Sequence, residues 1–376
     1  MKIIHIITSL SKGGGERVAV ELANEAAKNG NEILLIAGWR EDPKYLQQQV
    51  HSNVSIRFIS ETKDFAYLKL FYWIFKKRRT IKEYDIFHCH LTYGAVAGSL
   101  VYFLLKTILR YKKPFVIETN HAVGMPVPKF RRWLHSRMLL MRHGVVMMAT
   151  DPYWQKFIST HPGSSFEIIS NGISVVETHQ TKDLKQAFIN ESGIPATCKF
   201  IVGTVGVLRP DRQPWLYVPI FKAIYEQFGE DVHFIMAGSG SEQEKITELI
   251  KEHGLAAKVF LPGLVTDPAA CISNMDVYVS VSVGGTAGIS MIEAAMCKVP
   301  VVAIQLIESH VTSDQDWFWS NTDTDKVANQ IISLVKDETL RKSVILKQHS
   351  YVNEKYTARA MYSQYDTFYR RVLANQ

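Results

Sequence analysis

Residues 276–303, DVYVSVSVGGTAGISMIEAAMCKVPVVA, hold the pattern with the clearest chemistry. An apolar alternating run, Asp276–Ser282, enters a Gly-rich turn, then a short helix carrying Glu293, then a second apolar run, Val299–Ala303. Such a turn leaves backbone N–H groups free at a helix N-terminus, where they bind phosphate. Gly285, Thr286, Gly288 and Ile289 line it, and Glu293 follows about one helical turn later. Its carboxylate is then in reach of the hydroxyls of a ribose next to the phosphate. Met291, Ile292, Ala294, Ala295 and Met296 surround Glu293 in sequence, and a lone carboxylate in apolar company needs such a reason. A nucleotide is the ligand these residues fit.

Histidines make the second group. His88 and His90 lie two apart on a predicted strand, hence on one face, with Cys89 on the other. Three potential ligands in a row invite a metal, but no partner cluster is visible along the chain, so a metal-free pair is the better reading. His121 follows a strand end in a Gly- and Pro-containing loop, where sites of α/β proteins gather. Gly13–Gly15, with Gly14 and Gly15 opening an amphipathic helix, read as a ligand-facing turn. The turn is not G-x-G-x-x-G and no acidic residue ends the next strand, which argues against a nicotinamide site. Asp314-Gln315-Asp316 and Asp323-Thr324-Asp325 both spell D-x-D; in polar surroundings both read as solvated loops rather than metal ligands.

The elements that must position these residues alternate strand and helix. Strands are predicted at 2–8, 32–37, 55–59, 86–90, 115–118, 145–149 and 166–169, and again at 199–207, 232–237, 258–261, 277–282 and 299–304. A helix at 16–29 carries Val18, Leu22 and Ala26 on one stripe and stops at Gly30, and Ser241-Glu242-Gln243-Glu244 reads as a capping box for a helix reaching about His253. Alternation of this kind argues for parallel sheets covered on both faces, and 376 residues argue for two domains. The predicted division is 1–178 and 179–357, with a polar boundary at 172–197. A last helix at 358–375, rich in Tyr, Phe and Arg, is expected to dock back on the first domain.

Four cysteines without a C-x-x-C read as reduced thiols, and the start in a strand gives no sign of a secretion signal. The longest apolar run, Gly94–Leu105, is too short to span a bilayer. Residues 1–178 hold 24 Lys and Arg against 14 Asp and Glu, while 179–376 hold 19 against 22, so the basic character belongs to the first half. That half has an anionic partner to find. FAYLKLFYWIFKKRR, with Trp73, Lys76, Lys77, Arg78 and Arg79, and the segment containing Arg131, Arg132 and Trp133, fit an interfacial surface on an anionic membrane. No nucleic-acid module accompanies them.

In chain order, several segments resemble the family-four glycosyltransferases of the GT-B fold: Gly13-Gly14-Gly15-Glu16-Arg17 with Lys28-Asn29-Gly30, Tyr84–His90 ending in H-x-H, Thr119-Asn120-His121, and Ile169-Ser170-Asn171-Gly172-Ile173. Gly206-Val207-Leu208-Arg209-Pro210-Asp211-Arg212 and Glu293-Ala294-Ala295-Met296 with Val299–Ala303 continue the series, which spans about residues 1–305. The resemblance implies two doubly wound Rossmann-like domains facing a central cleft, with a nucleotide sugar mainly on the second and a glycan acceptor, plausibly lipid-linked, mainly on the first. It implies retention of anomeric configuration, no bound metal, and no cofactor beyond the nucleotide sugar itself, with a UDP-sugar as the common donor of the family. Arg212 and Arg209 would meet phosphate charge, His121 would bind the donor sugar or shape the reacting face, and Glu293 would hold the ribose. The chain departs from the pattern twice: Gly285 stands where a second Glu is usual, and Val207 replaces an Arg.

The resulting expectation is a cytoplasmic, membrane-peripheral glycosyltransferase of cell-surface polysaccharide synthesis. A non-catalytic partner subunit of the same fold, motivated by Gly285, and a sugar-nucleotide epimerase are the alternatives.

Overall fold

Lys2–Ser9 carries Ile3, Ile4, Ile6 and Ile7 and is buried at nearly every position, as a strand covered by helices on both faces must be, and it forms β1 inside a seven-stranded sheet. The computed structural model describes residues 1–11, 13–41, 45–121, 128–148, 160, 165–175, 194–195, 198–282, 287–305, 319–321 and 323–375. β1 is joined by β2 (Glu32–Trp39), β3 (Val54–Ser60), β4 (Ile86–His90), β5 (Phe115–Asn120), β6 (Gly144–Met147) and β7 (Ser165–Ile168). All pairings are parallel, in the order β3-β2-β1-β4-β5-β6-β7, so the winding reverses between β1 and β4. Crossovers run through α1 (Gly14–Lys28), α2 (Tyr45–Gln48), α3 (Ala66–Ile81), α4 (Leu91–Val101) and α5 (Lys129–Leu139).

A π-helical turn, Tyr102–Ile108, extends α4. The whole stretch Leu91–Ile108 has mean hydropathy 1.4 over 18 residues, enough by length and composition to cross a membrane and longer than the apolar run read from sequence. It lies on β1, β4 and β5, however, and buries Tyr93, Ala97, Val101 and Leu105 in the core between sheet and α3.

The second sheet has the order β10-β9-β8-β11-β12-β13, again parallel, and reverses between β8 (Phe200–Val205) and β11 (Val277–Ser282). Its other strands are β9 (Val232–Ala237), β10 (Val259–Phe260), β12 (Val301–Gln305) and β13 (Trp319–Asn321). The three-residue β13 is too short to carry a periodic signal, and sequence reading did not foresee it. Among the described residues its α-helices are α6 (Tyr217–Phe228), α7 (Gln243–Glu252), α8 (Pro268–Ser273), α9 (Ile289–Met296), α10 (Thr324–Lys336) and α11 (Glu338–Lys355). The expected capping box is not formed: α7 begins at Gln243 with Glu242 at the cap and no side-chain cap bond. The Glu242 amide is taken instead by the Leu208 carbonyl at 3.0 Å.

Two compact units result, Met1–Ser174 with Thr357–Gln376, and Val175–Tyr356. The last helix, α12 (Ala358–Ala374), packs on α1 and β7 of the first unit. There Ile173 pairs with Thr357 and accepts from the Ala358 amide at 2.7 Å, so the outgoing and returning chain lie side by side.

Candidate active site

In doubly wound sheets, ligands bind beyond the carboxyl ends of the strands where the winding reverses. In the first unit that point lies after β1 and β4. Alternation along β4 turns His88 and His90 to one face, and parallel pairing sets His5 of β1 directly opposite His88. β5 ends one residue before His121. The four imidazoles meet: His5 Nδ1 is 3.1 Å from His90 Nε2, and His90 Nδ1 is 3.2 Å from His121 Nε2. His88 bonds Tyr369 Oη of α12 through Nδ1 at 2.7 Å and Thr119 Oγ1 through Nε2 at 2.8 Å, and Thr119 reaches Tyr365 Oη at 2.8 Å. Burial pushes His5 down to about 3 and His121 down to about 4, and holds His88 and His90 well below the ordinary histidine value. All four are therefore neutral at pH 7.

Three features fix the mouth of this group. Leu91, directly after His90, is left-handed at φ 61°, a conformation that costs a non-glycine residue about 1–3 kcal/mol and persists only where its surroundings impose it. At Gly15 an added Cβ would stand 2.7 Å from Leu91 Cδ2 and 3.4 Å from His121 Cγ, so glycine permits the close approach of α1. Glu16 leans back so far that its Oε2 would lie 2.0 Å from a Cβ on Gly13. A carboxylate therefore stands at the α1 N-terminus, beside Gly14, while Gly15 lets the helix pack close to His121.

Behind β5, the guanidinium of Arg142 is fully buried and donates to Glu118 at 2.7 Å and to the Ala95 carbonyl at 2.7 Å. Glu118 also pairs with His135 of α5. Burial alone would raise the Glu118 carboxyl, but Arg142 and His135 hold it down to about 2.

In the second unit the winding reverses between β8 and β11, and two buried tyrosines fix those strand ends. Tyr217 Oη accepts from the Val281 amide at 3.0 Å and Tyr278 Oη donates to the Val205 carbonyl at 3.0 Å. The segment after β8 lies against the segment after β9. Gly206 donates to Ala237 at 2.9 Å, and Leu208 to Ser239 at 3.0 Å. Gly238 is at φ 137°, and an added Cβ would be 1.8 Å from the Gly206 oxygen, so only glycine fits.

Beyond this turn, Asp211 holds Arg209 by two bonds at 3.0 and 3.1 Å but approaches Arg212 only to 3.8 Å. Of the two expected phosphate binders, Arg212 is the less committed. Gly288 caps α9 with extended backbone and no side-chain cap, and Ile289 opens the helix. Glu293 is 3% exposed, buried on α9. Gly285 and Thr286 lie outside the described residues, as does Asp314-Gln315-Asp316. Asp323 caps α10, accepting from the Asp325 amide at 2.8 Å and the Lys326 amide at 3.4 Å.

Two family models match in succession: the one described as Glycosyltransferase Family 4 over residues 12–177, and that for Glycosyl transferases group 1 over 199–337. Together they span most of the chain. It belongs to the family-four glycosyltransferases. Poly(ribitol-phosphate) alpha-N-acetylglucosaminyltransferase of Staphylococcus aureus is 28% identical over 43% of this glycosyltransferase, a match that spans 33% of that relative's own length. N-acetyl-alpha-D-glucosaminyl L-malate synthase of Bacillus anthracis is 22% identical over 96% of this chain and 95% of its own. Among solved structures, Anabaena HepE with UDP and glucose superposes with a TM-score of 0.77 at 17% identity, covering 98% of this chain and 99% of that one. The fold is GT-B.

On the surface of the glycosyltransferase's first unit, α3 buries Ala66, Leu70 and Ile74 but exposes Phe71, Tyr72 and Phe75. Trp73, expected on that surface, instead packs half-buried against the core. Lys76 and Arg78 lie over the rings of Tyr72 and Phe75 at 5.6 and 4.7 Å, while Lys77 and Arg79 continue the helix. On α5, Phe130 and Trp133 are exposed beside Arg131 and Arg132, with Arg137 over Trp133 at 5.7 Å. Both helices pack against α4.

Sequence reading missed His5, Arg142 and the Gly238–Gly240 turn. His5 looked like one polar residue in an apolar strand, and only strand pairing makes it a neighbour of His88 and His90. The ligating nitrogens of these three lie within 4.8 Å of one another, the partner cluster that the sequence did not reveal. Both nitrogens of His88 already meet hydroxyls and both of His90 meet other histidines, which favours a hydrogen-bonded group over a metal centre.

Proposed function

We propose that this glycosyltransferase moves a sugar, with retention and without a metal, from a nucleoside diphosphate sugar to a glycan acceptor in cell-surface polysaccharide synthesis. The observation that carries the reading is that, in the second unit, Arg212 follows β8 while the α9 N-terminus and the buried Glu293 follow β11, the two neighbouring strands between which the winding reverses. Arg212 and the amides of Gly288 and Ile289 meet the diphosphate and steady the charge that develops on the leaving nucleotide. Glu293 accepts from the ribose hydroxyls, and His121 holds a hydroxyl of the donor sugar. The UDP bound in HepE supports uridine as the base.

A polymeric acceptor is supported by the poly(ribitol-phosphate) relative, while the malate-glycosylating relative makes a small acid the competing acceptor. The exposed rings and cations of α3 and α5 favour a lipid-linked glycan at the anionic inner face of the membrane, with rings in the headgroup layer and cations on phosphates. The protein would then work as a peripheral enzyme on the cytoplasmic side.

The test is nucleotide affinity by thermal shift across UDP, GDP and ADP, with and without Mg²⁺. One nucleotide family stabilises the protein in both conditions. Glu293→Ala and Arg212→Ala weaken that nucleotide by about tenfold or more. Glu244→Ala, on the exposed first turn of α7, and Arg209→Ala change it far less. Equal affinities for the Glu293 and Glu244 variants would overturn the ribose assignment.

A further inference from the structure

We propose that His5 and His90 are positioning residues that fix the tautomer of His121, so that His121 offers substrate an Nδ1–H donor. The proposal rests on the reading of His121 as the residue that holds a donor-sugar hydroxyl.

A neutral imidazole has one N–H, so a line of three linked rings has only two internally consistent arrangements. In the first, His5 Nδ1–H donates to His90 Nε2, His90 Nδ1–H donates to His121 Nε2, and His121 keeps its proton on Nδ1. In the second every bond is reversed: His121 donates inward from Nε2 and its Nδ1 is a bare lone pair. The two linking distances, 3.1 and 3.2 Å, tie the rings into one unit, so the choice is made for all three together.

The buried end makes that choice. His5 Nε2 is fully buried and has no hydrogen-bond partner among the described residues. The first arrangement leaves a lone pair there, whereas the second leaves an N–H. In protein interiors an unpaired donor is rarer than an under-satisfied acceptor, and each unmet polar group carries a desolvation penalty. The first arrangement is therefore the stable one, and its outer end is an N–H on His121 Nδ1. A sugar hydroxyl or ring oxygen accepts from that group.

Neutrality of all three rings is a condition, and burial supplies it. His88 stands outside the line, with both nitrogens bonded to Tyr369 and Thr119. It packs on His90 with ring centroids 4.1 Å apart and holds that ring in place.

The test reads the tautomer directly. Protein labelled with ¹⁵N-histidine, its His121 signals assigned by their loss in His121→Asn, gives two-bond ¹H–¹⁵N correlations at neutral pH. The expected spectrum has a protonated Nδ1 and an unprotonated Nε2 on His121; a protonated Nε2 overturns the proposal. Kinetics supply the second arm. His90→Leu lowers kcat/KM by about tenfold at unchanged UDP affinity. His90→Gln, whose amide can donate to His121 Nε2, recovers most of that loss, and equal losses in the two variants would also overturn the proposal. His121→Ala separates the premise from the inference. Retained turnover in that variant removes the role of His121, and the proposal with it. Lost turnover together with a protonated Nε2 in the parent protein defeats the tautomer assignment alone.

Discussion

His121 in the first unit rests on side chains, whereas Arg212 and Glu293 in the second unit rest on backbone. Behind His121 lie two buried hydrogen-bonded chains, His90–His5 and Tyr369–His88–Thr119–Tyr365, which meet where the His88 and His90 rings pack together. Below the same strand, Glu118 and Arg142 form a buried ion pair. The second unit instead holds Arg212 and Glu293 on turns and helices laid over an apolar core of Val, Ile, Phe and Leu. There, amide-to-carbonyl bonds between the segments after β8 and β9 fix the geometry, and Gly238 permits their approach. A side-chain network sets protonation as well as position. A backbone frame presents amides and leaves Arg212 only loosely engaged by Asp211.

The comparison predicts where each unit is fragile. The largest effect belongs to Glu118→Gln, which leaves the Arg142 guanidinium buried without its counter-charge and destabilises the first unit by about 3–5 kcal/mol in urea unfolding. The native Glu118 carboxyl is depressed to about 2, so its stabilisation is complete above the unfolded carboxylate value of about 4.3 and is lost as pH falls towards 2. The variant should lack that acid-dependent fall, and an identical profile in parent and variant would break the argument.

Gly238→Ala tests the backbone frame. A Cβ 1.8 Å from the Gly206 oxygen forces the two segments apart, for a loss of about 2–4 kcal/mol and weaker nucleotide binding. If UDP affinity survives that substitution, the close approach of the two turns does not shape the nucleotide site.

The smallest effect on stability is expected at the surface. Phe71→Ser with Phe75→Ser changes unfolding by no more than about 0.5 kcal/mol each, since both rings are already exposed. The same pair should lower sedimentation with vesicles containing phosphatidylglycerol. Unchanged sedimentation would remove α3 from the membrane reading.

Residue order alone determined a good deal. Alternating apolar strands and amphipathic helices specify parallel sheets, because only strands buried on both faces are apolar throughout. The short helix carrying Glu293, the H-x-H at the end of β4 and His121 after β5 were all legible, since each depends on contacts a few residues apart. The uneven charge and the aromatic–basic segments were legible too, as composition.

What only the tertiary structure decided depends on neighbours far apart in the chain. His5 joins His90 across 85 residues and Tyr369 reaches His88 across 281, and no local pattern announces either. Asp211 holds Arg209 by two hydrogen bonds while leaving Arg212 less engaged, a distinction set by side-chain geometry within one turn. Trp73 turns inward and Phe71, Tyr72 and Phe75 outward because the helical repeat lays one stripe on the core, and only the docked helix shows which stripe that is.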